Sequence, residues 1–226
     1  MPLMDRKQRQ FADREREILA AALELCSTPD WERVTVSEIA LQAEVGKGTV
    51  YTHFVSKDEL LFRLMMDFYR GLLDVLRAQI PPGNATEQLR AAVERSLRYH
   101  AGHLEYRYVV EYCNRIDFKE RADPRWKADF LALDRAFADW ASPILIRGME
   151  QGLIEPRPVE HLLLGMSAAF QGAISMIWAS SDWCPLGDDE AVIEAVTGFV
   201  MAGLAGRCFG DHRDDQSHGS RPCDAH

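Results

Sequence analysis

No stretch of about 18 or more uninterrupted apolar residues occurs in this chain, so a membrane-crossing helix is not expected. The first residues carry Asp5, Arg6, Lys7 and Arg9 with no apolar stretch behind them, which does not read as a signal peptide. The default expectation is a cytoplasmic protein with no membrane partner. Cysteine is sparse and scattered: Cys26, Cys113, Cys184, Cys208 and Cys223 are odd in number and contain no C-x-x-C pair. A disulfide framework or a zinc ribbon needs closer, paired spacing, so these thiols read as reduced core or tail residues. Sustained strand alternation is missing. So are G-x-S-x-G, H-E-x-x-H, a P-loop and a glycine-rich phosphate cradle, which leaves no motif for an enzyme and none that implies a metal or cofactor. An excess of basic charge is lacking as well; the net charge is -9, which by itself argues against a nucleic-acid partner.

What is present is the composition of an ordinary globular protein, 47% hydrophobic and 27% charged. At 226 residues the chain is long enough for two small domains or one large one. The distribution of charge says more than its sum. Residues 1–60 hold eight basic and eleven acidic side chains, a net of -3, leaving -6 for the remainder. The basic residues gather at Arg6, Lys7, Arg9, Arg14 and Arg16 and around Lys47 and Lys57, and no acid lies between Val45 and Lys57. Any binding to phosphates must therefore use a small local surface.

Helical periodicity runs through nearly the whole chain. Ile18, Ala22, Leu25 and Cys26 fall on one face of a helix that Pro29 and Asp30 end. Thr35 with Glu38 forms a capping box that opens a helix over about 36–43, with Ile39 and Ala40 inward. A short break at Glu44, Val45 and Gly46 leads to a helix over 47–54. Ser56 with Glu59 reads as a second capping box, opening a long helix through Leu60, Leu64, Met65, Phe68 and Leu72 up to Pro81 and Pro82. Asn84 with Glu87 starts another helix, weakened near its end by Gly102. Asp123 before Pro124 predicts an N-cap and a first-turn proline, whose missing N–H is harmless there, for a helix reaching about Gly152. An apolar helix over about 159–179 and a last one ending near Gly206 complete the series. Beyond Phe209 there is no periodicity, and residues 210–226 are expected to be a disordered tail. His212, His218, His226 and Cys223 lie in it without fixed spacing, so no metal is expected there.

Residues 35–57 carry the functional signal. Two short helices joined by a three-residue turn make a helix-turn-helix, whose second helix presents its N-terminal side chains to base edges in the DNA major groove. Gly46 and Gly48 let the backbone come close to DNA, and Lys47 supplies charge. Thr49 is short enough for a base edge or a thymine methyl, Tyr51 and His53 suit phosphate oxygens, and Lys57 can pin the adjacent strand. With Thr35 at the start of the first helix, these eight residues are the candidate DNA-contact set. Val36, Ile39, Val45, Val50, Phe54 and Leu60 read as the core beneath them.

The run Ile18 to Leu25, then Thr35, Val36, Ile39, Ala40, Ala43, Val45, Lys47 to Tyr51, His53, Phe54 and Ser56 to Leu60, resembles the DNA-binding signature of the TetR family over about residues 14–61, without a gap. Two positions depart from it: Glu44 stands where the family usually has a turn glycine, and Gly46 where it usually has serine. The resemblance implies a left-handed residue in the turn, where a non-glycine costs about 1 kcal/mol. It also implies a dimer, a C-terminal effector domain and repression rather than activation.

The expected fold is all-α: an N-terminal three-helix DNA-binding domain with a helix-turn-helix (1–60), and a C-terminal helical ligand-binding and dimerisation domain (61–209). In the second part, Gly165, Ala168, Ala169, Gly172 and Ala173 form one small-residue stripe, and Ala191, Ala195, Gly198 and Ala202 another. Such stripes allow close helix approach, either within one subunit or between two copies. Tyr99, Tyr106, Tyr112, Trp126, Phe130, Phe137 and Phe170 are the aromatic candidates for an effector pocket, which implies a mainly apolar ligand; plain core is the other reading of the same residues. His103, with His100, could orient a polar head group or lie on a surface. The functional expectation is a transcriptional regulator, with a DNA operator, a small-molecule effector and a second copy as partners. A helical enzyme or binding protein for a lipophilic molecule is the alternative.

Overall fold

A computed structural model of the chain describes residues 6–179 and 187–206, and every regular element among them is a helix. In order these are α1 (Arg6–Cys26), a 3-10 turn (Trp31–Arg33), α2 (Val36–Gln42), α3 (Lys47–His53), α4 (Lys57–Gln79) and α5 (Ala85–Ala101). A second 3-10 turn (Leu104–Tyr106) leads to α6 (Arg107–Asn114), α7 (Ile116–Arg121), α8 (Pro124–Glu150), α9 (Val159–Trp178) and α10 (Asp189–Ala205). The expected tail, with Cys208 and Cys223, and the residues around Cys184 lie outside the described residues.

Local chemistry sets most helix starts. Thr35 and Glu38 form the expected capping box at α2, and Asn84 and Glu87 form one at α5. Asp123 accepts the Arg125 N–H at 2.8 Å just ahead of Pro124. The box expected at Ser56 is only half made. Ser56 accepts the Glu59 N–H at 3.1 Å, but the Glu59 carboxylate reaches one residue further back and takes the Val55 N–H at 2.6 Å.

Three features depart from the sequence expectations. α1 begins twelve residues before its apolar face, and its exposed opening turns are tied by side-chain pairs such as Arg14 with Glu17 at 2.6 Å. Between Gly102 and Asp123, where the sequence reading assigns no separate element, the chain makes a 3-10 turn, α6 and α7. Helices this short gain little from local propensity, and here they are held by the burial of Val109, Val110, Cys113 and Phe118. Pro143 sits inside α8. Ahead of it only Ala141 of α8 is buried, whereas Ile144, Leu145 and Gly148 behind it all are.

α1, α2 and α3 pack around Ile18, Ala22, Cys26, Ile39, Ala40, Val50 and Phe54. α4 leaves this head and runs through the rest of the protein with ten buried side chains, from Leu60 to Leu76. Full burial of each large apolar side chain is worth roughly 1.5–3 kcal/mol before entropy is charged against it, so α4 is the element both parts depend on. One continuous apolar core joins the head to the C-terminal helices, and the sequence boundary at residue 60 falls inside α4. α5 packs against α8, α9 and α10, and α10 lies along α9. Gly148 permits this closeness: a Cβ there would come within 2.5 Å of Ile154 Cδ1 and 3.1 Å of Ala85 Cβ.

Candidate nucleic-acid interface

The turn between α2 and α3 is closed by the N–H of Val45 donating to Ala40 O at 2.9 Å and that of Glu44 donating to Leu41 O at 3.1 Å. This closure puts Glu44 at φ 53°, and among the described residues it is the one non-glycine with positive φ. The left-handed turn residue is therefore a glutamate, as the departure at this position implied. Glu44→Gly is expected to stabilise the protein by about 0.5 kcal/mol, the relief of left-handed strain less the chain entropy glycine adds. It also removes an exposed negative charge beside α3, so DNA affinity should rise with it. Urea unfolding and a DNA titration check both effects, and a variant less stable than wild type would contradict the strain argument.

α3 turns one face outward. Lys47, Gly48, Tyr51 and Thr52 are exposed, Tyr51 by 48%, while Val50 and the following Phe54 are buried and Thr49 is half-buried. Gly46 is the N-cap and gives no side-chain cap to the first turn. Leu41 and Val55 are exposed apolar residues flanking this face. Sequence reasoning passed over them and Thr52, whose hydroxyl donates to Gly48 O at 3.0 Å.

The structure assigns three of the candidate residues to other work. The His53 imidazole, expected to face a phosphate, has a side chain only 3% exposed; it stacks on Phe11 at 3.9 Å and lies 3.9 Å from a Glu15 carboxylate oxygen. Glu15 in turn binds Arg63 of α4 at 2.5 Å, so His53 braces α3 against α1 and α4. The Lys57 ammonium, expected on the adjacent strand, donates to Trp31 O at 3.0 Å and Glu32 O at 3.1 Å and sits over the Trp31 ring. Burial there pushes its pKa down. Thr35 is exposed, but its hydroxyl accepts the Glu38 N–H at 3.2 Å and donates to the Glu38 carboxylate at 2.8 Å. These contacts orient the helix pair on which Lys47 and Tyr51 are carried.

Behind the head, a polar and aromatic junction ties the start of α4 to α6 and α7. Asp58 accepts from Tyr112 Oη at 2.6 Å and from Arg121 Nε at 3.1 Å. Arg121 also binds Asp117, and Arg115 bridges Asp117 and Glu32. Tyr112 meets Trp31 edge-on at 4.8 Å, and Phe62, Trp126 and Phe118 stack beyond it. Burial and the Asp58 hydrogen bond push the Tyr112 hydroxyl up to about 12.

The aromatic residues expected to line one effector pocket are divided among several places. Tyr112 and Trp126 belong to this junction. Tyr99, His103 and Tyr106 surround Phe68 with Tyr69, His100 and Trp178. Phe137 packs with Leu72, Leu76, Ala92 and Trp140, whereas Phe130 and Phe170 lie half-buried against the main core. A groove of about 390 Å³ opens between α4 and α8, lined by Met66, Leu73, Leu133, Arg70, Arg77 and Asp129 among others, and none of the expected pocket residues borders it. Of the small-residue stripes, Gly165, Gly172, Ala195, Gly198 and Ala202 are exposed and Ala169 is half-buried.

A three-helix head bearing a helix-turn-helix is joined by one long helix to a bundle of further helices, and the head is the kind of motif that places a helix in a DNA major groove. A family model described as "Bacterial regulatory proteins, tetR family" matches residues 18–64, so the head and the start of α4 are similar to that family. The HTH-type transcriptional regulator HbdR of Aromatoleum sp. (strain CIB) is 32% identical over 110 residues, covering 49% of this chain and 42% of that protein. An uncharacterized HTH-type transcriptional regulator of Mycobacterium tuberculosis is 33% identical over 88 residues, covering 38% and 41%. The chain thus spans less than half the length of these curated relatives. The crystal structure of the transcriptional regulator FadR from Bacillus subtilis in complex with stearoyl-CoA superposes with a TM-score of 0.68 at 20% identity, covering 84% of this chain and 98% of that one. The TetR family regulator PfmR from Thermus thermophilus gives 0.62 at 21%, covering 92% and 100%. At these identities the likeness establishes the fold.

Proposed function

We propose that the chain is a homodimeric transcriptional repressor that leaves a palindromic operator when a small, mainly apolar effector binds its C-terminal helices. The observation that carries this reading is the outward face of α3. Lys47, Gly48 and Tyr51 stand exposed on a buried brace of Val50 and Phe54, and no acid lies from Val45 to Lys57. A helix of this kind fits the major groove, with Lys47 and Tyr51 on phosphates and Thr49, beside Gly46 and Gly48, near base edges. Residues 1–60 form the reading head, and residues 61–209 hold effector and partner.

The second copy is supported by α9 and α10. α9 is long and apolar enough to cross a membrane, yet most of it is uncovered within one chain. A Cβ added at Gly165, Gly172 or Gly198 would meet nothing within 4 Å. Small residues on two adjacent helices suit a two-fold four-helix bundle, which would bury this face in a soluble cytoplasmic protein. A neighbour of the same fold solved with stearoyl-CoA supports an apolar effector. The junction of Asp58 with Tyr112 and Arg121 gives such a ligand a grip on α4 and, through it, on the spacing of the two heads.

Selection from random duplexes at low salt is expected to enrich a palindrome whose half-sites lie one helical turn or a multiple apart. The selected operator then reports effectors by release. Failure to enrich any sequence at low salt would sink the repressor reading.

A further inference from the structure

His100 closes α5 with its ring turned inside, only 2% exposed. Its Nδ1 lies 2.7 Å from Ser96 O. A carbonyl oxygen can only accept, so Nδ1 carries the hydrogen and the neutral ring is left with a bare lone pair on Nε2. That atom is fully buried and has no partner. Burial drives the ring toward the neutral form, with a pKa pushed down to about 4. The ring stands among Phe68 at 5.0 Å, Trp178 at 5.4 Å, Tyr69 at 6.3 Å and Tyr99 at 6.4 Å. Two nearby donors are already committed, Tyr99 Oη to Phe68 O and Trp178 Nε1 to the His100 carbonyl, and no protein group meets Nε2. A buried acceptor that no protein group meets is rare and unfavourable, and it marks a place where an outside donor is wanted.

We infer that His100 Nε2 is the atom that selects the effector, accepting a hydrogen bond from a hydroxyl carried on an uncharged apolar molecule. This rests on the effector reading given above and narrows its ligand class. The rings around Nε2 are aromatic and come from α4, α5 and α9, so an apolar, ring-bearing occupant suits their chemistry and enters by displacing one of them. An anionic head would bring its negative oxygens against a lone pair and is disfavoured at this nitrogen. Tyr99 couples the site to α4: its hydroxyl binds Phe68 O, and a Cβ at Gly71 would lie 2.5 Å from that same hydroxyl oxygen. An occupant that displaces Tyr99 therefore acts directly on the backbone of α4.

The test uses the full-length protein and a matched pair of probes, 4-butylphenol and its methyl ether, which share one apolar frame and differ in the donor. Binding is followed by tryptophan fluorescence and by release from the selected operator. The phenol is expected to bind at least ten-fold tighter than the ether, and His100→Phe to bind the two equally. Long-range nitrogen–proton NMR of the wild type gives a readout needing no variant: the His100 Nε2 resonance should move from a bare to a hydrogen-bonded position when phenol is added. Equal binding of both probes to wild type overturns the inference. So does a preference that survives in His100→Phe, or an Nε2 already hydrogen-bonded in the free protein and unmoved by phenol, as an internal water would make it. If stearoyl-CoA releases the operator and neither probe does, the donor inference falls and the effector reading stands. If no probe and no acyl-CoA changes operator affinity, the effector reading falls as well.

Discussion

Gly198→Glu is expected to give a folded monomer that has lost most of its operator affinity. Position 198 lies in the middle of the exposed α10 stripe, where an added Cβ meets nothing within 4 Å of the same chain. The substitution therefore has little to disturb in a single subunit. Around it Ala195, Ala202 and Phe199 are uncovered, Phe199 by 75%, and on α9 Leu164 is uncovered by 70% beside Gly165 and Gly172. A second copy packed here would bury the new carboxylate near its own symmetry mate, and the stripe itself offers only small and apolar side chains to either. Buried unpaired like charges oppose association strongly. Since a dimer reads two half-sites and a monomer one, losing the partner removes the gain from linked binding, about 10²–10⁴-fold. Light scattering with size exclusion gives the mass, circular dichroism the fold, and anisotropy on the selected operator the affinity. A variant that stays dimeric with unchanged affinity would remove α9 and α10 from the interface.

The sequence made the head legible because its signals are local and mutually consistent. Thr35 with Glu38 marks the start of α2, a break at residues 44–46 marks the turn, and the apolar spacing of Val50 and Phe54 orients α3. Each of these depends on neighbours within about five positions, and each stands as read. What sequence reasoning missed depends on distant partners. His53 and Lys57 look like free polar groups beside a recognition helix. Only the fold reveals that Phe11 and Glu15 of α1 claim the one, and the carbonyls of the 3-10 turn at Trp31 claim the other. The stretch from 103 to 122 carries no assigned element in the sequence reading because α6 and α7 are too short for the helical spacing of Val109, Val110 and Cys113 to stand out. By composition the aromatic residues group as candidates for one effector pocket. Composition could not tell that Tyr112 and Trp126 serve the junction with the head, while Tyr99 and Tyr106 surround Phe68.

That division between reading and bracing residues predicts two different kinds of loss within one short helix. Lys47→Ala should weaken DNA binding about equally on every sequence and lower the salt dependence, because a lysine on a phosphate displaces a counterion and carries no sequence information. One such contact in each subunit lowers the slope by about 2 per dimer. Tyr51→Ala removes a larger exposed side chain from the same face, and a hydrogen bond from its hydroxyl to a charged phosphate is worth about 1.5–3 kcal/mol per subunit. Counted over two subunits, that is about 3–6 kcal/mol, enough to abolish operator binding at physiological salt. Neither change touches a buried group, so both variants should melt with wild-type midpoints. His53→Ala should do the reverse. It deletes a ring stacked on Phe11 and facing Glu15, so the unfolding midpoint falls, while the salt slope of whatever remains folded stays as in wild type. Titrating all three against the selected operator at several salt concentrations, beside their denaturation curves, separates the two roles. A His53→Ala protein of full stability with a reduced slope would return the imidazole to the DNA surface. A Tyr51→Ala protein that binds as wild type would show that α3 does not read DNA through this face.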